Sequence, residues 1–150
     1  MTAAAPGRAG TALYTPEILA LAVELADYPL ADNLAQRGEA LSRVCGSKVA
    51  VALSTGQGGH ISRIGARVTA CAIGQAAAAL FLRSARGRNE AEIAGGLAAV
   101  ERWLAGDQQL PAWPAIAQLA SARPYTARHP AILLPWKAAL AALSNPELAD

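Results

Sequence analysis

The sequence predicts an α+β fold, a small three-stranded antiparallel sheet with helices packed on it. Two segments, KVAVALS at 48–54 and HISRIGARVTA at 60–70, alternate apolar and polar residues with a period of two. The Gly-rich TGQGG between them reads as the connection of a hairpin. After Cys71 the apolar spacing becomes helical and stays so in later segments. Strands grouped ahead of a run of helices favour an α+β layer over alternating βαβ units.

The elements follow in order. In YTPEILALAVELADYP, Thr15 is placed to cap a helix, with Pro16 at its first position and Glu17 in its first turn, and this helix should run to about Asp27. PLADNLAQRGEA mixes breakers and polar residues, so a loop is expected before a short strand near Ala40 to Val44. The second strand puts Val49, Val51 and Leu53 on one face, and the third does the same with Ile64, Ala66, Val68 and Ala70. Gly65 interrupts that third strand and suggests a bulge.

A helix should follow Cys71 to about Ala85, closed by Gly87, with Arg83 and Arg86 in its last turn. Asn89 and Glu92 have the spacing of a capping box, and Ile93, Leu97, Val100 and Leu104 line one face of the helix they begin. Gly106 and Asp107 stop it. A shorter helix is expected in AWPAIAQLASA and a last one in PAILLPWKAALAAL, kinked or delayed by Pro135.

The 150 residues suit one domain that buries about two thirds of its unfolded surface; residues 1–11 are expected to be a flexible tail and 12–150 a single domain. The hydrophobic share is 53%, but much of it is Ala, and aromatics supply only 5%, so the helices should approach closely. Charges are scattered and the net charge is +2, which is not a nucleic-acid footprint. The longest apolar run, Ala76 to Leu82, is far short of the roughly 20 residues that span a bilayer. Residues 1–10 lack the pattern of a secretion signal, so no membrane association and a cytoplasmic location are expected.

The two cysteines then have no disulfide framework to serve. Cys45 follows the first strand and Cys71 the third, and in a meander those strands end at the same edge of the sheet. Cys71 also opens a helix, where free N–H groups and the dipole favour a thiolate. Gly46 suits a ligand turn after Cys45. Against this stands a packing reading, in which both thiols are small hydrophobes beside Ala-rich helices.

CGS at 45–47, ACAIGQAAAALF at 70–81 and ARHPAILLPWKAAL at 127–140 occur in an order and separation that resemble the NifU-like scaffold family of iron–sulfur cluster assembly. The similarity extends over roughly residues 12–145. It implies a small α+β domain that builds a nascent cluster on three cysteines and passes it to a recipient protein. The family's first turn is usually Cys-Gly-Asp, whereas this chain has Ser47 in place of the carboxylate. Counting from Arg128, the third cysteine falls on Ala131. The set is similar to a bacterial branch that reads Cys-Gly-Ser, Cys-Ala-x-Gly-Gln and Ala-Arg-His.

With the third cysteine missing, His129 is the substitute ligand, because two residues before Ala131 is the same face of an extended segment and imidazole binds zinc or iron. The alternative is a helix-start histidine facing solvent. Gln75, one turn after Cys71, could donate to a bound sulfur. Gly46, Ser47 and Arg128 complete the supporting set. His60 at the hairpin tip is expected to be exposed and idle, Trp103, Trp113 and Trp136 to be core or groove aromatics, and the arginines 83, 86 and 88 to form a solvated helix end rather than a contact for an acidic partner. TGQGG lacks the context of a phosphate loop.

Three functions follow from these residues. A scaffold or carrier would bind a cluster, of the 2Fe–2S type, or iron through Cys45, Cys71 and His129, with a partner group or a second copy of a homodimer completing four ligands. A zinc-bound sulfur acceptor would use the same three residues to receive sulfur from a cysteine desulfurase. An interaction module would have lost metal binding altogether. In the first two, the partners are a cysteine desulfurase and recipient iron–sulfur proteins. No Ser-His-Asp set, carboxylate pair or cofactor fingerprint supports an independent enzyme.

Overall fold

The computed structural model describes residues 13–145, so the tail expected over 1–11 lies outside the described residues. Helix α1 (Pro16–Glu24) is followed by strands β1 (Gln36–Leu41), β2 (Lys48–Thr55) and β3 (Ile61–Thr69), then helices α2 (Ala72–Ala85), α3 (Glu90–Leu104) and α4 (His129–Leu143). Short 3₁₀ turns cover Leu25–Asp27, Gln57–Gly59, Ile116–Ala122 and Thr126–Arg128. The sheet is an antiparallel meander in the order β1-β2-β3.

The helix starts form as their residues dictate. The Thr15 hydroxyl accepts from the Ile18 N–H at 3.2 Å, and Asn89 and Glu92 exchange two bonds of 2.9 Å in a complete capping box. The segment 112–122 condenses only to a 3₁₀ helix at Ile116–Ala122.

Two strand expectations are corrected. The first strand does not lie near Ala40 to Val44: it runs Gln36–Leu41, and residues 42–47 form the turn after it. Gly38 reads as a breaker but is a packing residue, since a Cβ there would sit 2.3 Å from the Ala142 backbone nitrogen where α4 crosses β1. Gly65 is not a bulge either. It pairs in register with Ala52, and the register shift lies at Ser54/Thr55. Gly65 is small because the Pro29 carbonyl oxygen would be 1.9 Å from its Cβ. Beside it, Ala66 N–H donates to the Tyr28 carbonyl at 2.9 Å, so the chain after α1 lies along β3.

Val49, Val51 and Leu53 are buried on the core face of the sheet. Helix α4 lies across β1 and β2 and packs on α2 and α3, while α2 packs on α1 and β3. Most residues of α2 are fully buried, so its run of alanines is core rather than surface. Phe81 stacks on Trp113 at 5.2 Å, and Trp136 meets both edge-on at 5.1 and 5.2 Å. Among the described residues, no helix is long and apolar enough to cross a membrane.

Candidate functional site

The turn from β1 to β2 is closed by Ser42 N–H donating to the Ser47 carbonyl at 2.9 Å and Gly46 N–H donating to the Ser42 carbonyl at 2.8 Å. Gly46 has φ +74°, a conformation that side chains with a Cβ resist. This winding tucks both serine side chains inward and leaves Cys45 exposed. Cys45 N–H lies 3.4 Å from Ser42 Oγ, and its Sγ lies 3.1 Å from Ser47 Oγ. The Ser42 hydroxyl, and after it the Ser47 hydroxyl, hold the Cys45 thiol below its ordinary pKa, because they favour the charged sulfur more than its slight burial disfavours it.

At the far end of β3, Cys71 is the N-cap residue of α2, in extended conformation and half-buried. Its carbonyl accepts from Gln75 N–H at 2.9 Å, while its sulfur caps nothing. The Gln75 side chain donates to the Ala70 carbonyl at 2.9 Å. That amide braces the strand-to-helix joint.

The third wall comes from the start of α4. A Cβ on Gly74 would meet Ala70 Cβ at 2.6 Å and Ala131 Cβ at 3.4 Å, so the absence of a side chain at Gly74 lets α4 approach the Cys71 joint. The result is an open cleft of about 450 Å³ lined by both thiols, Gly46, Ser47, Arg128 and Ala131, with Thr69, Ala70 and Ala127 filling the wall between.

Cys45 and Cys71 therefore line one cleft, and His129 is not among its lining residues. His129 is the first residue of α4 and not part of an extended segment. Two residues along a helix turn about 200°, so His129 and Ala131 leave the axis on different sides. Its Nε2 lies 2.8 Å from the Arg123 carbonyl, which can only accept, so this nitrogen carries the proton. Among the described residues, no three His, Cys, Asp or Glu side chains cluster closely enough to hold a metal.

Sequence reasoning missed Ser42. The available signal was a serine three residues before Cys45, a spacing at which a hydroxyl reaches a backbone N–H of its own turn. The remaining expectations fall away from the cleft. His60 is exposed, and Trp103, Trp113 and Trp136 are core residues. Arg83 pairs with Glu24, its Nε donating at 3.0 Å, and Arg88 lies 4.1 Å over the Trp113 ring.

No protein-family model matches the chain, and no curated protein matches it in sequence. Solved structures do. A nitrogen-fixing NifU-like protein (N-terminal) from Brucella abortus is 25% identical, with a TM-score of 0.80 over 93% of this chain and 97% of that one. A protein from thermophilic Fervidobacterium islandicum AW-1, named for iron–sulfur cluster assembly in the SUF system, is 21% identical, with a TM-score of 0.77 over 87% of this chain and 96% of that one. The resemblance that the three motifs imply thus holds for the fold: over most of its length the chain is similar to the N-terminal part of a NifU-like protein, with alanine at position 131.

Proposed function

We propose that the chain is a scaffold or carrier in iron–sulfur cluster assembly, with iron or a nascent cluster as its cargo. The observation that carries this reading is the shared cleft: two thiols from distant turns open onto one solvent-facing space at one end of the sheet. The names of the two structural neighbours support it, since one is NifU-like and the other is named for cluster assembly.

In this reading the Cys45 sulfur loses its proton to solvent, and Ser47 donates its hydroxyl to the thiolate that results. Cys71 supplies the second thiolate from the mouth of α2. Because the cleft is open, cargo can leave by ligand exchange without unfolding the domain. A cysteine desulfurase would supply sulfur, and recipient iron–sulfur proteins would take the product. A zinc-bound sulfur acceptor is the second reading: Cys45 and Cys71 would be two of the three protein ligands of an exchangeable zinc site, but the name of one structural neighbour points to cluster assembly.

Anaerobic reconstitution with iron and sulfide in the presence of a small thiol tests the proposal. Wild-type protein should gain sulfur-to-iron charge-transfer absorption, and Cys45→Ala and Cys71→Ala should each lose most of it. A colourless wild-type protein with an intact circular dichroism spectrum would sink the scaffold reading.

A further inference from the structure

Two thiolates are half of the four ligands that a cluster takes. Among the described residues, no further cysteine, histidine or carboxylate lines the cleft. What does line it is Arg128, half-buried, whose guanidinium has no hydrogen bond or ion pair among the described residues. With no anion beside this guanidinium among the described residues, a ligand can supply one. Its planar fork fits a carboxylate with two parallel bonds. On the same wall Ala131, itself buried, offers no more than a methyl group. The cleft, at about 450 Å³, lies in the range of small-molecule sites.

Resting on the scaffold reading, we infer that the cargo's third ligand is a small thiol that bears a carboxylate, its sulfur entering beside Ala131 and its carboxylate pairing with Arg128, while solvent or sulfide keeps the fourth position. The step is a ligand exchange without redox change. The incoming S–H gives its proton to solvent, a sulfur lone pair forms the bond to iron, and a solvent or sulfide ligand departs. Arg128 is here a binding residue for the thiol and takes no part in bonding to iron.

The test uses the full chain, reconstituted anaerobically with iron and sulfide under a phosphine reductant. Glutathione or cysteine is added in one arm, cysteamine or 2-mercaptoethanol in another, and no thiol in a third. After desalting, thiol released by acid is counted beside the absorption spectrum. The expected result is a cluster that carries stoichiometric glutathione or cysteine, with the uncharged or amine-bearing thiols needed at about tenfold higher concentration, the worth of one charge-assisted hydrogen bond. Arg128→Gln should erase that preference, and Ala131→Cys should reduce the thiol retained per cluster.

A stable cluster in the thiol-free arm overturns the inference and leaves the scaffold reading standing, as does one cluster per two chains in a thiol-free dimer. An Arg128→Gln protein that loses affinity equally for every thiol also overturns it, because the guanidinium would then be answering the charge of the cargo alone. No colour in any arm, Ala131→Cys included, sinks the scaffold reading and this inference with it.

Discussion

The chemistry of Cys45 is set by two hydroxyl groups. Since Ser42 and then Ser47 lower its pKa, the thiolate persists to lower pH than an isolated cysteine allows, and removing either hydroxyl should move ionisation upward. Alkylation rate against pH, measured on a Cys71→Ala background, should show a higher midpoint in Ser42→Ala and in Ser47→Ala; an unchanged midpoint in both would remove the serines from the explanation. The sequence made Cys45, Gly46, Ser47, Cys71 and Arg128 legible because each sits at an element boundary that leaves a mark in the chain. It misplaced His129. Whether that residue lies on a strand-like or helical backbone depends on where α4 begins, and no capping side chain marks the start.

The elements were legible where side chains carry the signal and obscure where backbone contacts do. Thr15 and Asn89 announce their helices, and Asn89→Ala should cost about 1 kcal/mol in urea unfolding. Strand β1 was hidden because Gly38 and Glu39 look like loop residues, and only the crossing of α4 explains the glycine. Gly38→Ala should therefore destabilise by about 1–3 kcal/mol or more, despite the better strand propensity of alanine. A variant as stable as wild type would mean that α4 shifts away from β1 without penalty. Gly74 belongs to the same class. Its contact with the Ala131 wall was unreadable before α2 and α4 were seen side by side.

At the scale of the molecule, the cleft draws on the turn after β1, the end of β3 and the start of α4, so cargo held by both thiols ties distant segments together. Anaerobic melting should show a higher midpoint for the iron-loaded or cluster-loaded protein than for the free one, a gain absent from Cys71→Ala. Behind the cleft, the ring cluster of Phe81, Trp113 and Trp136 fixes how α2 and α4 meet. Trp113→Ala, which removes one of these three mutually packed rings, should cost about 3–5 kcal/mol. Urea unfolding followed by circular dichroism checks it.

The strap from Tyr28 to Pro29 along β3 has a bearing on how such molecules meet. A bare outer strand invites a neighbour to extend the ladder, and extension ends in fibres or insoluble aggregates. Here Ala66 has already spent its outward N–H on the Tyr28 carbonyl, and at the opposite margin Asn145 donates to the Arg37 carbonyl at 3.3 Å. With one hydrogen-bonding group on each flank already occupied, strand-to-strand association is discouraged at those points.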